Sequence, residues 1–170
     1  MSDLVQVRRV SFDDPDDCAA LLKLMDVYAS DPMGGGAPLP SEVRERLCKD
    51  LSSNPSAISF IAWRDGAGTL EAIGLINCFL GYSTFKARPL LNIHDIVVQP
   101  EFRRQGIGQA LLAAAESEAR EYGCCKLTLE ILSGNSRAKA SYTRFGFEPY
   151  TLDPAAGHAS FMHKWLSREY

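Results

Sequence analysis

The sequence predicts an α/β (α+β) protein built on a mixed, mostly antiparallel central sheet of six to seven strands, flanked by about four helices. Stretches with the two-residue alternation of strands and stretches with helical spacing follow one another in the order β-α-α-β-β-β-α-β-α-β. The 170 residues, 46% of them hydrophobic and 23% charged, suit one domain with a sizeable core. We therefore expect a single domain over residues 1–170.

The first part of the chain predicts one strand and two helices. Val5, Val7 and Val10 indicate a short first strand. Asp14 can cap a helix that begins at Pro15, because proline suits the first helical position. This helix has an apolar face made of four residues: Leu21, Leu22, Met25 and Tyr28. Residues 31–40 hold three glycines and three prolines, which excludes regular structure there.

The middle of the chain predicts a helix and then a run of strands. Ser41 is the expected cap of a second helix that continues to about residue 52. Residues 57–63 and 70–80 have the composition of strands, and residues 65–68 form their hairpin turn. Residues 81–89 are expected to connect to a β-branched strand that ends before Pro100.

The last part of the chain predicts two further helices and three strands. A helix over residues 107–122 is ended by Gly123, and residues 125–131 alternate as a strand does. A helix over residues 135–145 follows. Residues 147–152 and 158–166 are expected to close the sheet as two more strands.

Residues 94–108, H-D-I-V-V-Q-P-E-F-R-R-Q-G-I-G, run from a strand through a glycine turn into a helix. The first N–H groups of a helix have no intrahelical acceptor and carry partial positive charge. Gly106 and Gly108 let an anion approach the backbone, and Arg103 and Arg104 add positive charge. A diphosphate would fit here. The dinucleotide fingerprint is excluded, because Leu111 stands where its third glycine is needed.

This stretch resembles the central motif of the GNAT superfamily of acyl-CoA-dependent N-acetyltransferases, [RQ]-x-x-G-x-[GA] after a strand, with Arg103, Gly106 and Gly108 at the defined positions. Residues 135–147, N-S-R-A-K-A-S-Y-T-R-F-G-F, match the superfamily's second pattern, N-x-x-A-x-x-x-Y-x-x-x-G-F. The resemblance implies the GNAT fold, in which the sheet splays open between its fourth and fifth strands. It also implies acetyl-CoA as cosubstrate.

The resemblance assigns roles around acetyl-CoA. The turn that would bind the diphosphate consists of Arg103, Arg104, Gln105, Gly106, Ile107 and Gly108. The strand edge at Ile96, Val97 and Val98 would offer backbone groups to the pantetheine arm, with Val97 or Val98 polarising the thioester oxygen. Asn135 and Tyr142 would flank the pantetheine and the sulfur. Tyr142 is the expected general acid, because a neutral phenol can protonate a departing thiolate.

The general base is left open by the sequence. Many family members use a glutamate on the fourth strand where this chain has Asn92, and an asparagine cannot accept the proton. His94, two residues along on the same face, is the first candidate, because a neutral imidazole accepts protons near neutral pH. Asp95 is the rival if a bulge turns it into the cleft, and Glu130 is a further possibility.

The expected reaction is acetyl transfer to a primary amine of a small molecule, by direct attack in a ternary complex. The loops that carry Met33 and Phe85 could close over such an acceptor. The candidates to bind it are Met33, Tyr82, Phe85, Asn92 and Glu130. Two alternatives are a protein lysine or N-terminal acetyltransferase and a non-catalytic acyl-CoA-sensing module. The sensing module would have no need of Tyr142.

Composition bounds the remaining partners. A net charge of -3 argues against nucleic acid as a partner. The five cysteines have no zinc-site spacing, so no metal is expected. The start of the sequence carries no secretory pattern and no apolar run is long enough for a membrane, which favours a cytoplasmic protein without a membrane partner. Family resemblance leaves a homodimer open.

Overall fold

The computed structural model describes residues 4–66, 68–151, 153, 155 and 159–166, and these contain one mixed sheet of five strands in the order β1-β2-β3-β4-β5. The first four strands are antiparallel, and β5 pairs with β4 in parallel. The strands are β1 Leu4–Arg9, β2 Ala57–Gly66, β3 Thr69–Ser83, β4 Arg88–Val98 and β5 Leu127–Leu129. The mixed α/β class with a mostly antiparallel sheet is as predicted.

Four helices flank the sheet in the described part of the chain: α1 Pro15–Ser30, α2 Ser41–Ser52, α3 Ile107–Glu121 and α4 Ser136–Phe145. Asp14 caps α1 as expected, since its side chain accepts from the N–H groups of Asp16 and Asp17. The prediction for α2 is wrong by one residue. Pro40 occupies the cap position without a side-chain bond, and Ser41 is already helical.

The sheet buries one hydrophobic cluster on each face. On one face, α3 contributes Leu111 and Leu112, which are fully buried against strand residues that include Ile73 and Ile76. On the other face, α1 contributes Leu21 and Leu24 to a second cluster. The sheet is thus a layer between α3 on one side and α1 with α2 on the other.

Gly74 fixes how closely α3 approaches the sheet. A Cβ at this position would lie 3.1 Å from side-chain atoms of Ile107 and Leu111 and from the carbonyl oxygen of Val97. Since Ile107 is the first residue of α3, the contact holds the start of that helix against β3 and the end of β4.

The hairpin between β3 and β4 is longer than predicted. The strands stay paired as far as Ser83 and Arg88, so the expected connection over residues 81–89 shrinks to residues 84–87. The predicted strand over residues 125–131 is conversely short, because only Leu127–Leu129 pair with β4.

The two predicted closing strands are the main correction. Residues 147–151 and 159–166 are not strands, and Leu152 and His158 lie outside the described residues. The apolar side chains of this segment are 71–95% exposed: Phe161, Met162, Trp165 and Leu166. Strand-like composition is not enough to form a strand, because a strand also needs an edge to pair with, and β5 presents only a three-residue edge.

Among the described helices, none is both long and apolar enough to span a bilayer.

We expect Leu111→Ala to lower the free energy of unfolding by about 2–5 kcal/mol, because it leaves a cavity between α3 and the sheet. Urea denaturation followed by circular dichroism measures the loss. Leu70→Ala is the control, since Leu70 is 54% exposed and its truncation should change stability by no more than about 0.5 kcal/mol. Equal losses in the two variants would contradict this assignment of the core.

Candidate active site

β4 continues past the end of β5 and leaves an open edge. The last β4–β5 pair joins Ile93 to Leu129, and no β5 residue of the described sheet pairs with the rest of β4.

The N–H of Gln99 donates to the carbonyl oxygen of Ile73 on β3, 2.9 Å away. Strand alternation then turns the peptide groups of Val97 towards β3 and those of Ile96 and Val98 towards the open edge. Of the two valines, the geometry therefore favours Val98 as the donor to an added ligand.

A bulge interrupts β4 beside this edge. Asp95 pairs with Asn77 and Ile93 pairs with Cys78, so His94 is an extra residue without its own partner on β3. The ring of His94 packs edge-on against Phe79 with centroids 4.8 Å apart. Asp95 accepts a hydrogen bond from Asn77, which lies on the same face of β3 as Phe79. The bulge thus places the side chains of His94 and Asp95 on one face, towards α1.

Asp95 ends a buried polar chain. The hydroxyl of Ser59 donates to Asn77 Oδ1 at 2.6 Å, and Asn77 Nδ2 lies 3.1 Å from Asp95 Oδ2 and 3.2 Å from the sulfur of Met25 on α1. Burial raises the pKa of the Asp95 carboxyl above its ordinary value, while the Asn77 hydrogen bond and the nearby His94 act in the opposite direction. Asp95 is therefore a carboxyl whose ionised form is destabilised.

Two tyrosines of this region have raised pKa values. Burial raises the pKa of Tyr142 to about 12, with a further contribution from Tyr28 on α1. Burial also raises the pKa of Tyr28, followed by the charges of Asp95 and Asp31. Both phenols consequently hold their protons at neutral pH. Next to Tyr142, the backbone and hydroxyl oxygens of Ser141 accept from Gln109 Nε2 on α3, at 3.1 and 3.0 Å, which ties α4 to α3.

The turn before α3 has the geometry of an anion site. Gly106 takes the cap position in the left-handed region, at φ 84°, without a side-chain hydrogen bond. The space in front of Gly108 is open, since an added Cβ would meet only Val98 at 4.0 Å. Arg104 is exposed and has φ 66°. Ile107 is buried, so only its backbone can reach a ligand. A diphosphate group fits this turn.

Arg103 differs from the expectation that its side chain binds phosphate. Its Nε donates to the carbonyl oxygen of Val98 at 3.0 Å, and its terminal nitrogen contacts Asp31 Oδ2 at 3.1 Å. The guanidinium thus joins the end of β4 to the loop after α1. The neighbouring Gln105 side chain also has a protein partner, the carbonyl oxygen of Glu101.

The remaining predicted residues have varied surroundings. Asn135 Oδ1 accepts from the N–H of Ala138 and so caps α4. Asn92 donates to Thr128 Oγ1 at 2.9 Å and joins β4 to β5.

Glu130 is exposed directly after β5. Three exposed side chains lie in or beside loops: Met33 at 46%, Tyr82 at 62% and Phe85 at 90%.

Sequence reasoning missed Asn77 and Tyr28. Asn77 stands in the apolar run L-I-N-C-F of β3, and one polar residue within a buried strand was a signal that it serves a partner. Tyr28 was assigned only to the apolar face of α1. Nothing local in the sequence indicates that this face meets the bulge of β4.

Within the part of the chain that the structure describes, no group of three or more histidine, cysteine, aspartate or glutamate side chains could hold a metal ion.

A model described as the acetyltransferase (GNAT) family matches residues 21–147. The thialysine N-epsilon-acetyltransferase of Bos taurus is 37% identical over 73 residues, 43% of this chain and 42% of that protein. The [ribosomal protein bS18]-alanine N-acetyltransferase of Escherichia coli K12 is 37% identical over 60 residues, 35% of this chain and 40% of that protein. The chain thus spans about two fifths of the length of these relatives.

The fold is also that of solved structures. An aminoglycoside N-acetyltransferase in complex with CoA superposes with a TM-score of 0.75 at 18% identity, covering 96% of this chain and 97% of that one.

The raised pKa of Asp95 predicts how stability varies with pH. A carboxyl whose pKa is higher in the folded than in the unfolded state stabilises the protein fully below the unfolded pKa. That contribution is lost as pH rises through the folded pKa. In Asp95→Asn there is no charge to bury, so its stability relative to wild type should increase between pH 4 and pH 8.

Urea unfolding of both proteins across this range measures the difference. Asp50→Asn removes the same net charge from an exposed position on α2 and is the matched control. A stability difference for Asp95→Asn that stays constant with pH would contradict the destabilised carboxylate.

Proposed function

The chain belongs to the acetyltransferase (GNAT) family, and we propose that it transfers the acetyl group of acetyl-CoA to a primary amine of a small molecule. The observation that carries the proposal is the combination of an open edge on β4 with a glycine turn at its end. Within the described sheet, β5 leaves the peptide groups of Ile96 and the N–H of Val98 unpaired, and the turn before α3 can receive a diphosphate. An extended, amide-containing ligand that ends in a diphosphate fits both.

Acetyl-CoA has this chemistry, and it supplies an activated thioester when bound. The N–H groups at the start of α3, with Gly106 and Gly108, would hold its diphosphate. The peptide groups of Ile96 and the N–H of Val98 would pair with the pantetheine amides as an added strand. CoA in the aminoglycoside N-acetyltransferase of the same fold supports this choice of ligand.

Tyr142 acts as the general acid in this proposal. Its phenol stays protonated at neutral pH because burial raises its pKa, so it has a proton to give to the thiolate as the thioester bond breaks. The hydrogen bond from Gln109 to Ser141 positions the helical turn of α4 that carries Tyr142.

His94 takes the proton from the attacking amine, directly or through water. His94 is exposed on the face that the bulge shares with Asp95, so its ring is accessible to an amine or to a water. Asp95 is the alternative base, since a carboxyl with a raised pKa accepts protons more readily than an ordinary one.

The acceptor is proposed to be a small amine that reacts directly in a ternary complex. The relative from Bos taurus is named for a small amino acid, and the structural neighbour for aminoglycosides. A protein acceptor is the second candidate, because another matching relative is named for an alanine of a ribosomal protein. A lysine or N-terminal peptide therefore belongs in any test of acceptors.

The experiment is acetyl-CoA-dependent thiol release by the purified protein against diamines, amino acids, amino sugars and short peptides. We expect turnover with one amine class, and a fall in kcat of about 10²-fold or more in Tyr142→Phe with acetyl-CoA affinity nearly unchanged. Tyr122→Phe, a change at the exposed end of α3, is the control and should keep full activity. An unchanged kcat in Tyr142→Phe would exclude the general-acid role. Binding without release on any acceptor would favour an acyl-CoA-sensing module.

We expect His94→Gln to lower kcat/KM by about 10²-fold at pH 7, with a deficit that narrows as pH rises. The base is needed only while the amine is protonated, and the fraction of free amine grows with pH. The pH dependence of kcat/KM measures this. His163→Gln, in the segment where His163 packs near Trp165, is the matched control. A larger, equally pH-dependent deficit in Asp95→Asn would transfer the role to Asp95.

A further inference from the structure

Asp31 organises the segment after α1, which we call the glycine-rich loop and define as residues 31–36. Its carbonyl oxygen accepts from the N–H groups of Gly34, Gly35 and Gly36, at 2.8, 3.1 and 3.2 Å. Its Oδ1 accepts from the N–H of Met33 at 2.9 Å. Four of the loop's backbone donors therefore converge on one residue.

The other carboxylate oxygen of Asp31 leaves the loop. It meets Arg103, whose Nε is simultaneously bonded to Val98 at the end of β4. The two side chains of the ion pair are 29% and 28% exposed, so the pair is largely shielded from solvent. Arg103 is also the first residue of the turn whose later members, Gly106 and Gly108, would receive the diphosphate. One guanidinium thus connects this turn, the open strand edge and the loop.

The glycine-rich loop in turn packs against the end of α1. The N–H of Asp31 donates to the carbonyl oxygen of Tyr28 at 3.1 Å. A Cβ on Gly34 would lie only 1.9 Å from the same oxygen, so the loop backbone packs directly on the end of α1. Tyr28 interacts electrostatically with Asp95 and with Tyr142. The position of the loop and the position of Tyr28 are therefore linked.

We propose that Asp31 is a positioning residue, which transmits occupancy of the residue 103–108 turn through Arg103 to the glycine-rich loop. Cofactor bound at the turn would hold the backbone that carries Arg103, and Arg103 would hold Asp31 and the loop in the form that receives the amine. The inference rests on the proposed function, because it takes the turn as the cofactor site and the loop as part of the acceptor site.

The charges around Asp31 suit this role. The Met33 N–H, followed by Arg103 and Arg137, lowers the pKa of the Asp31 carboxyl below its ordinary value. The carboxylate is ionised at neutral pH and the bridge to Arg103 persists there.

The Asp31→Asn variant removes the ion pair with Arg103 and keeps the hydrogen bonds within the loop. The amide oxygen can still accept from Met33, and the main-chain carbonyl still collects the glycine N–H groups, but the charge that faces Arg103 is lost. Asp50→Asn, which breaks the exposed pair with Arg46 on α2, is the matched control.

We expect CoA to slow hydrogen exchange of residues 31–36 in the wild-type protein and in Asp50→Asn, and to leave it nearly unchanged in Asp31→Asn. In steady-state kinetics, Asp31→Asn should raise KM for the amine about tenfold, with Kd for acetyl-CoA within about twofold of wild type.

Equal protection of the loop by CoA in Asp31→Asn would overturn the role of Asp31. Tighter CoA binding in that variant would also overturn it, because Asp31 would then compete with the diphosphate for Arg103. Hydrogen exchange is measured with CoA and without an acceptor. It therefore distinguishes failure of the proposed function from failure of the role proposed for Asp31. Absence of CoA binding to the wild-type protein counts against the proposed function, whereas binding without loop protection counts only against Asp31.

Discussion

β4 contains one extra residue, His94. Because of it, every later side chain points to the opposite face of the sheet, and every later peptide group points to the opposite edge of the strand. Before the bulge, Leu91 donates its N–H towards β5, and after it the N–H of Gln99 donates towards β3. Without that shift, the Asp95 side chain would turn into the apolar cluster under α3, away from its donor Asn77. The peptide groups of Ile96 and Val98 would turn towards β3. Both halves of the proposed site, the acceptor face and the cofactor edge, depend on this one insertion.

The bulge has an energetic consequence for the surrounding core. It brings a carboxyl into an environment that disfavours its ionised form, and Ser59 and Asn77 are buried with it to supply hydrogen bonds. A hydrophobic residue in place of each would pack more simply. The polar chain is the kind of local conflict that is common at functional sites, where stability is given up for reactivity.

Patterns confined to a few neighbouring residues predicted the structure well. The bounds of α1, α3 and α4 follow from caps, prolines and apolar spacing, and the glycine turn before α3 was placed from its own residues. What the sequence could not give depends on distant partners. The location of the bulge is set by pairing between β3 and β4, and the partner of Arg103 is Asp31, 72 residues away. The strand predicted over residues 158–166 failed because the composition of a segment carries no information about an available edge.

The open edge of β4 offers main-chain groups, whereas the bulge offers side chains. A ligand that pairs with peptide groups is indifferent to the identity of Ile96 and Val98, as long as they suit the core behind them. The residues proposed to meet the acceptor, by contrast, come from separate elements: Tyr28 from α1, His94 and Asp95 from the bulge, and Met33 from the loop. Substitutions among these side chains can alter the amine without touching the contacts to the nucleotide. One scaffold can in this way diversify its choice of acceptor during evolution while the donor stays constant.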